Sequence, residues 1–304
     1  MAKVRVYTSL LFLLGLFAAC TEDITMDAPE GWKLPVVDGS ITDEFKRHEI
    51  ILRYSSKLYD TTGFEAIPGA EVYVKCDDDT IWYYEQEDHP GHYLTDSVAG
   101  RRNRWYHLEV RVKENTLIST PIHIYADTKM MHNARCIDSV GLLPLRDSVG
   151  LPLVDEQAAV CVCPYFQTLP DTSIVYNVEL YLNGRIFRNR PSKLFSLVPM
   201  QGYAGYYFNG PEMLADGEYE VPVGVMNKEY LHEGDVVKVK LYSVCKDYMY
   251  FLVSQKLAIG VNPVMGAFPA VFSNLFSNCD AIGWFNATSV IEGEAVYHEA
   301  IFNE

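Results

Sequence analysis

Between residues 70 and 113 the chain alternates apolar and polar positions with a period of two. Ala70, Val72 and Val74 interleave with Glu71, Tyr73 and Lys75, and Tyr106, Leu108, Val110 and Val112 interleave with His107, Glu109, Arg111 and Lys113. Successive strand side chains point to opposite faces, so each run predicts a half-buried antiparallel strand. Residues 49–54, 81–85 and 122–125 predict further strands, separated by turn-rich stretches at 60–63 and at His89-Pro90-Gly91. Residues 34–126 therefore predict a β-sandwich of about seven strands.

A polar connector at 126–135 leads into a second region. There Tyr176, Val178, Leu180 and Leu182 alternate with Asn177, Glu179 and Tyr181, and the run ends at Asn183-Gly184. Asn-Gly supplies the two positive φ values of a type I′ turn, which predicts an antiparallel return over 185–188. Val237, Val239 and Leu241, with Lys238 and Lys240 between them, predict another strand. Tyr248, Phe251, Leu252 and Gln255 then fall at helical spacing, which predicts a short helix over 246–257. Closing strands are expected at 282–287 and 295–302. The fold class is mainly β: an N-terminal sandwich (34–126), then a second β-rich domain (127–304), a sandwich or partial barrel with a short helix.

The first residues follow a different rule. Lys3 and Arg5 precede an apolar run from Val6 to Phe17, and Ala18 and Ala19 stand directly before Cys20. A membrane-spanning helix needs roughly 20 apolar residues, so this shorter run has the shape of a secretory signal peptide, residues 1–19. The small residues before Cys20 resemble the lipobox of bacterial lipoproteins, although Phe17 stands where leucine is usual. The resemblance implies cleavage before Cys20 and lipid attachment to it, with several acyl chains giving stable anchoring. Residues 20–33 read as an acidic tether, opening Thr21-Glu22-Asp23. Acid in that place resembles the signal that sends lipoproteins of Bacteroidota to the outer face of the outer membrane.

The 304 residues carry a net charge of −15. Such a surface repels phosphate backbones, so nucleic acid is not expected as a partner. Cys76, Cys136, Cys161, Cys163, Cys245 and Cys279 follow Cys20; export would permit disulfides among them, and spacing does not choose the pairs. Cys161-Val162-Cys163 lacks a second ligand pair at zinc-finger spacing, and strand alternation puts both thiols on one face. They read as structural.

Catalytic motifs are missing from the sequence: it has no Gly-rich phosphate loop, nucleophile elbow or His-Glu-x-x-His. Asp77-Asp78-Asp79 lacks the glycine and distal glutamate of a calcium loop and reads as a solvated hairpin. His89, His92, His107 and His123 read as surface or satisfied imidazoles. Aromatic clusters stand out more: Tyr203, Tyr206, Tyr207 and Phe208, then Tyr248, Tyr250 and Phe251, then Trp284 and Phe285. Tyrosine and tryptophan offer apolar area with a polar handle, and Tyr206, Tyr207 and Trp284 are the ligand-binding candidates. A place in the core is the alternative for each. No catalytic residue, metal site or cofactor is expected.

Several phrases together resemble one family. Val36-Val37-Asp38-Gly39-Ser40-Ile41-Thr42-Asp43, Ile67-Pro68-Gly69-Ala70-Glu71-Val72, Asn262-Pro263, Pro269, Ser273-Asn274 and Gly283-Trp284-Phe285 occur in that order. The family is a large group of Bacteroidota outer-membrane lipoproteins known only as a domain of unknown function and commonly encoded beside a TonB-dependent receptor. The resemblance implies an Ig-like or transthyretin-like first sandwich. It also implies a non-enzymatic surface lipoprotein that assists a TonB-dependent receptor in capturing an unknown small ligand. One alternative is a fimbrillin-like pilus or adhesin subunit, for which Arg47 and Arg53 are available as cleavage sites but lie in or near a predicted strand. Another is a surface hydrolase, which would need two carboxylates, or a nucleophile and a histidine, brought together by the fold.

Overall fold

The computed structural model describes residues 33–56, 63–113, 121–132, 134–145, 158–168, 174–187, 207–209, 223–260 and 272–302. Cys20 and its tether, the 60–62 turn, Tyr203, Tyr206, Asn262, Pro263 and Pro269 lie outside the described residues. The described chain is mainly β with one α-helix.

Seven strands build the first sandwich: β1 (Pro35–Thr42), β2 (Glu49–Tyr54), β3 (Glu71–Cys76), β4 (Asp79–Gln86), β5 (His89–Leu94), β6 (Trp105–Val112) and β7 (Ile122–Lys129). One layer runs β1-β2-β5 and the other β3-β6-β7. β4 pairs with both β3 and β5, and its register shift at Glu85/Gln86 turns the corner between layers. The inward positions are those that alternation predicted, with Val72, Val74, Leu108 and Val110 packed on Val37, Ile41, Ile50 and Leu52. Asp77 has φ +55 at the β3–β4 hairpin, and its carboxylate and that of Asp79 face Arg101.

The second part holds β8 (Ala134–Pro144), β9 (Ala159–Thr168), β10 (Ile174–Leu182), β11 (Arg185–Ile186), β12 (Tyr207–Asn209), β13 (Gly224–Asn227), β14 (Val236–Cys245), α1 (Lys246–Gly260), β15 (Phe276–Ser277) and β16 (Ile282–Val296). The sheet β13-β9-β8 packs on β10-β14-β16 through Val160, Val162, Tyr176, Val178, Val237, Val239, Leu241 and Ile291. Asn183 (φ +49) and Gly184 (φ +76) make the predicted hairpin turn between β10 and β11. Cys161 and Cys163 share the opposite face of β9 with Leu145 and Val225. Cys76, Cys161, Cys245 and Cys279 carry free thiols. Burial pushes the Cys161 thiol up to about 11.

Three expectations are corrected. His89-Pro90-Gly91 is the start of β5 rather than a turn; the turn is Glu87-Asp88, and the Gly91 N–H donates to Glu85 Oε1 at 2.9 Å. The connector at 126–135 is shorter than predicted, because β7 runs on to Lys129 and Met130 is fully buried. In place of two closing strands there is one, β16, followed by a 3-10 turn at Glu299–Phe302. The break comes at Tyr297, buried in the second core and bonded through its N–H to the Asp235 carbonyl at 2.7 Å.

β16 belongs to both cores. Its first half pairs in parallel with β1, from Val36↔Ile282 to Thr42↔Thr288. Its second half pairs antiparallel with β14, from Ser243↔Ser289 to Val236↔Val296. Phe285 and Ala287 enter the first core and Ile291 the second. Where the strand changes partner, the Val290 N–H donates to Asp43 Oδ1 at 2.8 Å, and Arg102 Nε meets Asp43 Oδ2 at 2.5 Å. Beside it Glu44 takes hydrogen bonds from Lys46 at 2.5 Å and from Lys240 of β14.

Burial alone would raise the Glu44 carboxyl, but the bonds from Lys240 and Lys46 outweigh it and bring its pKa from 4.5 down to about 2. A carboxyl with a depressed folded pKa stabilises above its unfolded pKa, and that stabilisation is lost as pH falls through the folded value. The denaturant midpoint should therefore drop between pH 4.5 and about 2. The part due to Glu44 is on the order of 2 kcal/mol, and Lys240→Met should shrink it. An equal drop in that variant would remove Glu44 as its source.

Candidate functional site

The outer face of the β16-β1-β2-β5 layer carries the side chains that the first core leaves out. Register sets Trp284 beside Asp38, Asp38 opposite Ile51, and Ile51 opposite His92. α1 leaves β14 at Cys245 and lies over this face. Its Tyr248 and Phe251, three residues apart on one helical stripe, pack on Trp284 with ring centroids 5.6 and 5.3 Å away. Between helix and sheet remains a cleft of about 460 Å³, lined among others by Asp38, Ser40, Glu49, Ile51, Phe251 and Trp284, with Lys46 and Arg47 also on it. Its size falls in the range of small-ligand sites.

The backbone of this face is held tightly. Gly283 has φ +122, and a Cβ there would lie 1.9 Å from the Val37 carbonyl oxygen, so only glycine lets β1 and β16 approach this closely. On the far side of Gly283 and Phe285 the side chains of Ser273 and Asn274 take the place of a strand. Asn274 Nδ2 donates to the Phe285 carbonyl at 2.8 Å and its Oδ1 accepts the Phe285 N–H at 3.1 Å. Ser273 Oγ donates to the Gly283 carbonyl at 2.9 Å. Val36 to Asp43, Ser273-Asn274 and Gly283-Trp284-Phe285, far apart in sequence, thus meet around one strand, and the first and last of them also reach the cleft.

The polar groups of the cleft are mostly engaged. Glu49 Oε1 lies 2.7 Å from His92 Nδ1, and Arg47 Nε donates to the Thr95 carbonyl at 3.0 Å. His48 is buried and neutral: Nε2–H donates to the Val98 carbonyl at 2.9 Å while Nδ1 accepts the Thr42 N–H at 3.4 Å. Burial lowers its pKa below the ordinary histidine value. Asp38 is open to solvent, yet the surrounding walls raise its carboxyl pKa by desolvation, with Arg53 opposing the rise and Glu49 adding to it. Trp284 is 6% exposed, and its indole Nε1 makes no hydrogen bond.

A serine and a histidine do meet elsewhere, His132 Nδ1 and Ser289 Oγ at 3.3 Å. The chemistry of a nucleophile is missing there. Ser289 is buried and donates its proton to the Met131 carbonyl at 2.7 Å, and the other nitrogen of His132 faces the Arg102 guanidinium rather than a carboxylate. Burial and Arg102 lower the His132 pKa. The group locks the partner change of β16. Among the described residues no three histidine, cysteine, aspartate or glutamate side chains gather as metal ligands.

A second feature lies on the outer face of the other layer. Register aligns Trp82, Tyr73, Glu109, Tyr125 and Phe276 in one row across five strands. Trp82 and Phe276 stand at the ends, 42% and 55% exposed, and Tyr125 stacks on Phe276 at 5.3 Å. Glu109 at the centre takes Arg111 at 3.0 Å and His123 at 2.9 Å. Burial would raise its carboxyl, but the bonds from His123 and Arg111 hold it at about 2. His107 likewise pairs with Asp127 at 2.7 Å.

Of the residues singled out in the sequence, Trp284 lies in the cleft wall. Tyr207 is placed by its backbone on β12, opposite Asn177 of β10. Tyr206 and Cys20 lie outside the described residues. Tyr248 and Phe251 carried a helical signal and join Trp284. Asp38, Ser40 and Glu49 reach the cleft through strand register, for which their local sequence holds no cue.

A family model described as Domain of unknown function (DUF4249) matches residues 21–292. No curated protein matches the chain. Among solved structures the chain is similar to the chicken CNTN1 FN1-FN3 domains, at 11% identity and a TM-score of 0.16, over 69% of this chain and 61% of that one. It is also similar to Rst D1-D2, at 8% identity and a TM-score of 0.20, over 83% of this chain and 96% of that one. Superpositions at such TM-scores carry no argument about arrangement or role.

Proposed function

The chain belongs to the DUF4249 family, and from that membership and the cleft we propose a cell-surface lipoprotein that binds a small ligand without transforming it. In this reading Cys20 carries the lipid, the acidic tether directs the protein to the outer face of the outer membrane, and a TonB-dependent receptor is the partner. The observation that supports it most is a ligand-sized cleft to which two separate family phrases contribute, through Asp38 and Ser40 of the one and Trp284 of the other. An anchored binder raises local ligand concentration beside a receptor without needing high intrinsic affinity.

Affinity capture of the full-length protein from outer membranes in mild detergent should recover a TonB-dependent receptor. Mass spectrometry should find acylated Cys20 at the mature amino terminus. Repeated recovery of the protein alone, or an unmodified Cys20, would overturn the partner or the anchor respectively. One observation favours a hydrolase instead, the presence of Asp38 and Glu49 on the same cleft. Turnover of aryl glycosides or peptides that Asp38→Asn abolishes would establish that reading.

A further inference from the structure

We infer that His89 and His92, at the start of β5, hold a divalent transition-metal ion of the zinc, nickel or copper type. The site needs neither the lipid on Cys20 nor a ligand in the cleft. Backbone is the first argument. Tyr93 stands opposite Glu85 and His89 opposite Gln86, so one step along β4 answers to four along β5. The surplus residues bulge, and a bulge re-aims the side chains it carries. In a regular strand residues three apart point to opposite faces. Here the imidazole rings of His89 and His92 come together, with centroids 5.8 Å apart and planes at 58°. The bend that joins them is held firmly. Pro90 has a fixed φ, and Gly91 takes φ +80 with its N–H on Glu85 Oε1 at 2.9 Å. A Cβ on Gly91 would lie 2.5 Å from the Leu52 carbonyl oxygen, so the bend sits tight against the sheet.

The side chains are the second argument. His92 Nδ1 lies 2.7 Å from Glu49 Oε1. In that bond Nδ1–H donates to the carboxylate, which sets the tautomer and leaves the Nε2 lone pair for a metal. His89 is exposed and has no hydrogen bond among the described residues. A metal about 2.0–2.1 Å from each nitrogen sets two imidazole centroids roughly 4.5–5.5 Å apart. A small turn of His89 closes the difference. Local charge also favours a cation: Glu87 and Asp88 directly precede His89, and Glu49 and Glu85 bond to His92 and Gly91. Against them stands Arg47, itself bonded to the Thr95 carbonyl and to Gln86. Imidazole nitrogen suits zinc, nickel and copper, whereas calcium and magnesium take oxygen ligands. Two imidazoles are the protein's share of the coordination shell, and water fills the rest.

The test is the imidazole ¹⁵N spectrum of the full-length protein titrated with zinc chloride, with Cys136→Ser in every sample to remove an exposed thiol. One nitrogen of His89 and Nε2 of His92 should shift together and saturate at one zinc per chain. His89→Gln and His92→Gln should each weaken zinc roughly tenfold or more, read from the imidazole that remains. Glu49→Gln should also weaken it about tenfold, the size of effect that the outer partner of a metal-bound histidine carries. These side chains reach solvent, so the variants should keep the fold. A response of one imidazole alone, saturation first at His107 and His123, or no response would overturn the site. An equal response to magnesium or calcium chloride would overturn the transition-metal class.

Discussion

Gly283→Ala is expected to cost about 4 kcal/mol or more, the largest effect of a methyl group added at any of the described glycines. Two penalties act together. At φ +122 an L-residue is strained by a few kcal/mol wherever it sits. The added Cβ would also lie 1.9 Å from the Val37 oxygen, and that atom is backbone in the adjacent strand, unable to turn aside. Relief requires β1 and β16 to separate, which breaks the parallel ladder and opens the first core at Phe285. Gly184→Ala is the control. It has φ +76 with nothing within 4 Å of the new Cβ, so it should lose only about 1–2 kcal/mol. Denaturant unfolding of both variants checks this, and equal losses would show that the close approach of β1 and β16 is not tight.

Asp43→Ala should be the next most damaging, at about 3 kcal/mol or more. Its side chain is only 7% exposed and does two tasks at once. It accepts the Val290 N–H at the one place where β16 has left β1 and is beginning with β14, and it balances the Arg102 guanidinium. Removal leaves an unsatisfied backbone donor and a half-buried cation that has lost its counter-ion. Asp43→Asn keeps an acceptor for Val290 and should recover part of the loss. Adding Arg102→Met to Asp43→Ala should recover another part, since the orphaned charge goes with it. A double-mutant cycle over Asp43 and Arg102 reads the coupling; additive losses would mean that the pair does not act as a unit.

Local pattern carried the chain a long way. Strands β3 and β6 announce themselves by alternation, the β10–β11 turn by Asn183-Gly184, and α1 by the spacing of Tyr248 and Phe251. β1 carries no strand signal of its own, because Gly39 interrupts its apolar face and its partner in β16 is hundreds of residues away. The sequence of β16 reads as two strands because it does not alternate: Gly283 through Ile291 are all buried, with different layers covering the two sides. Period-two reasoning assumes one wet face, and this strand has none over most of its length. The cleft follows the same logic. Trp284 and the helix aromatics were visible as chemistry, while Asp38, Ser40 and Glu49 become neighbours only once parallel pairing sets Asp38 beside Trp284. The row from Trp82 to Phe276 was equally hidden, since five strands must be in register before it exists.

The double membership of β16 has a consequence for how the chain reaches this state. Asp43 and Val290, which meet at the strand's change of partner, are 247 residues apart in sequence. Contacts so distant close a very large loop before they give anything back, and folds dominated by them form slowly. The seven early strands cannot finish their layer while β1 has a bare edge, and β14 is in the same position. A nascent or secreted chain that stops short of residue 282 therefore offers two unpaired edges to other chains, which makes incomplete synthesis an aggregation hazard. Both sandwiches reach their final form together, on arrival of the same fifteen-residue strand.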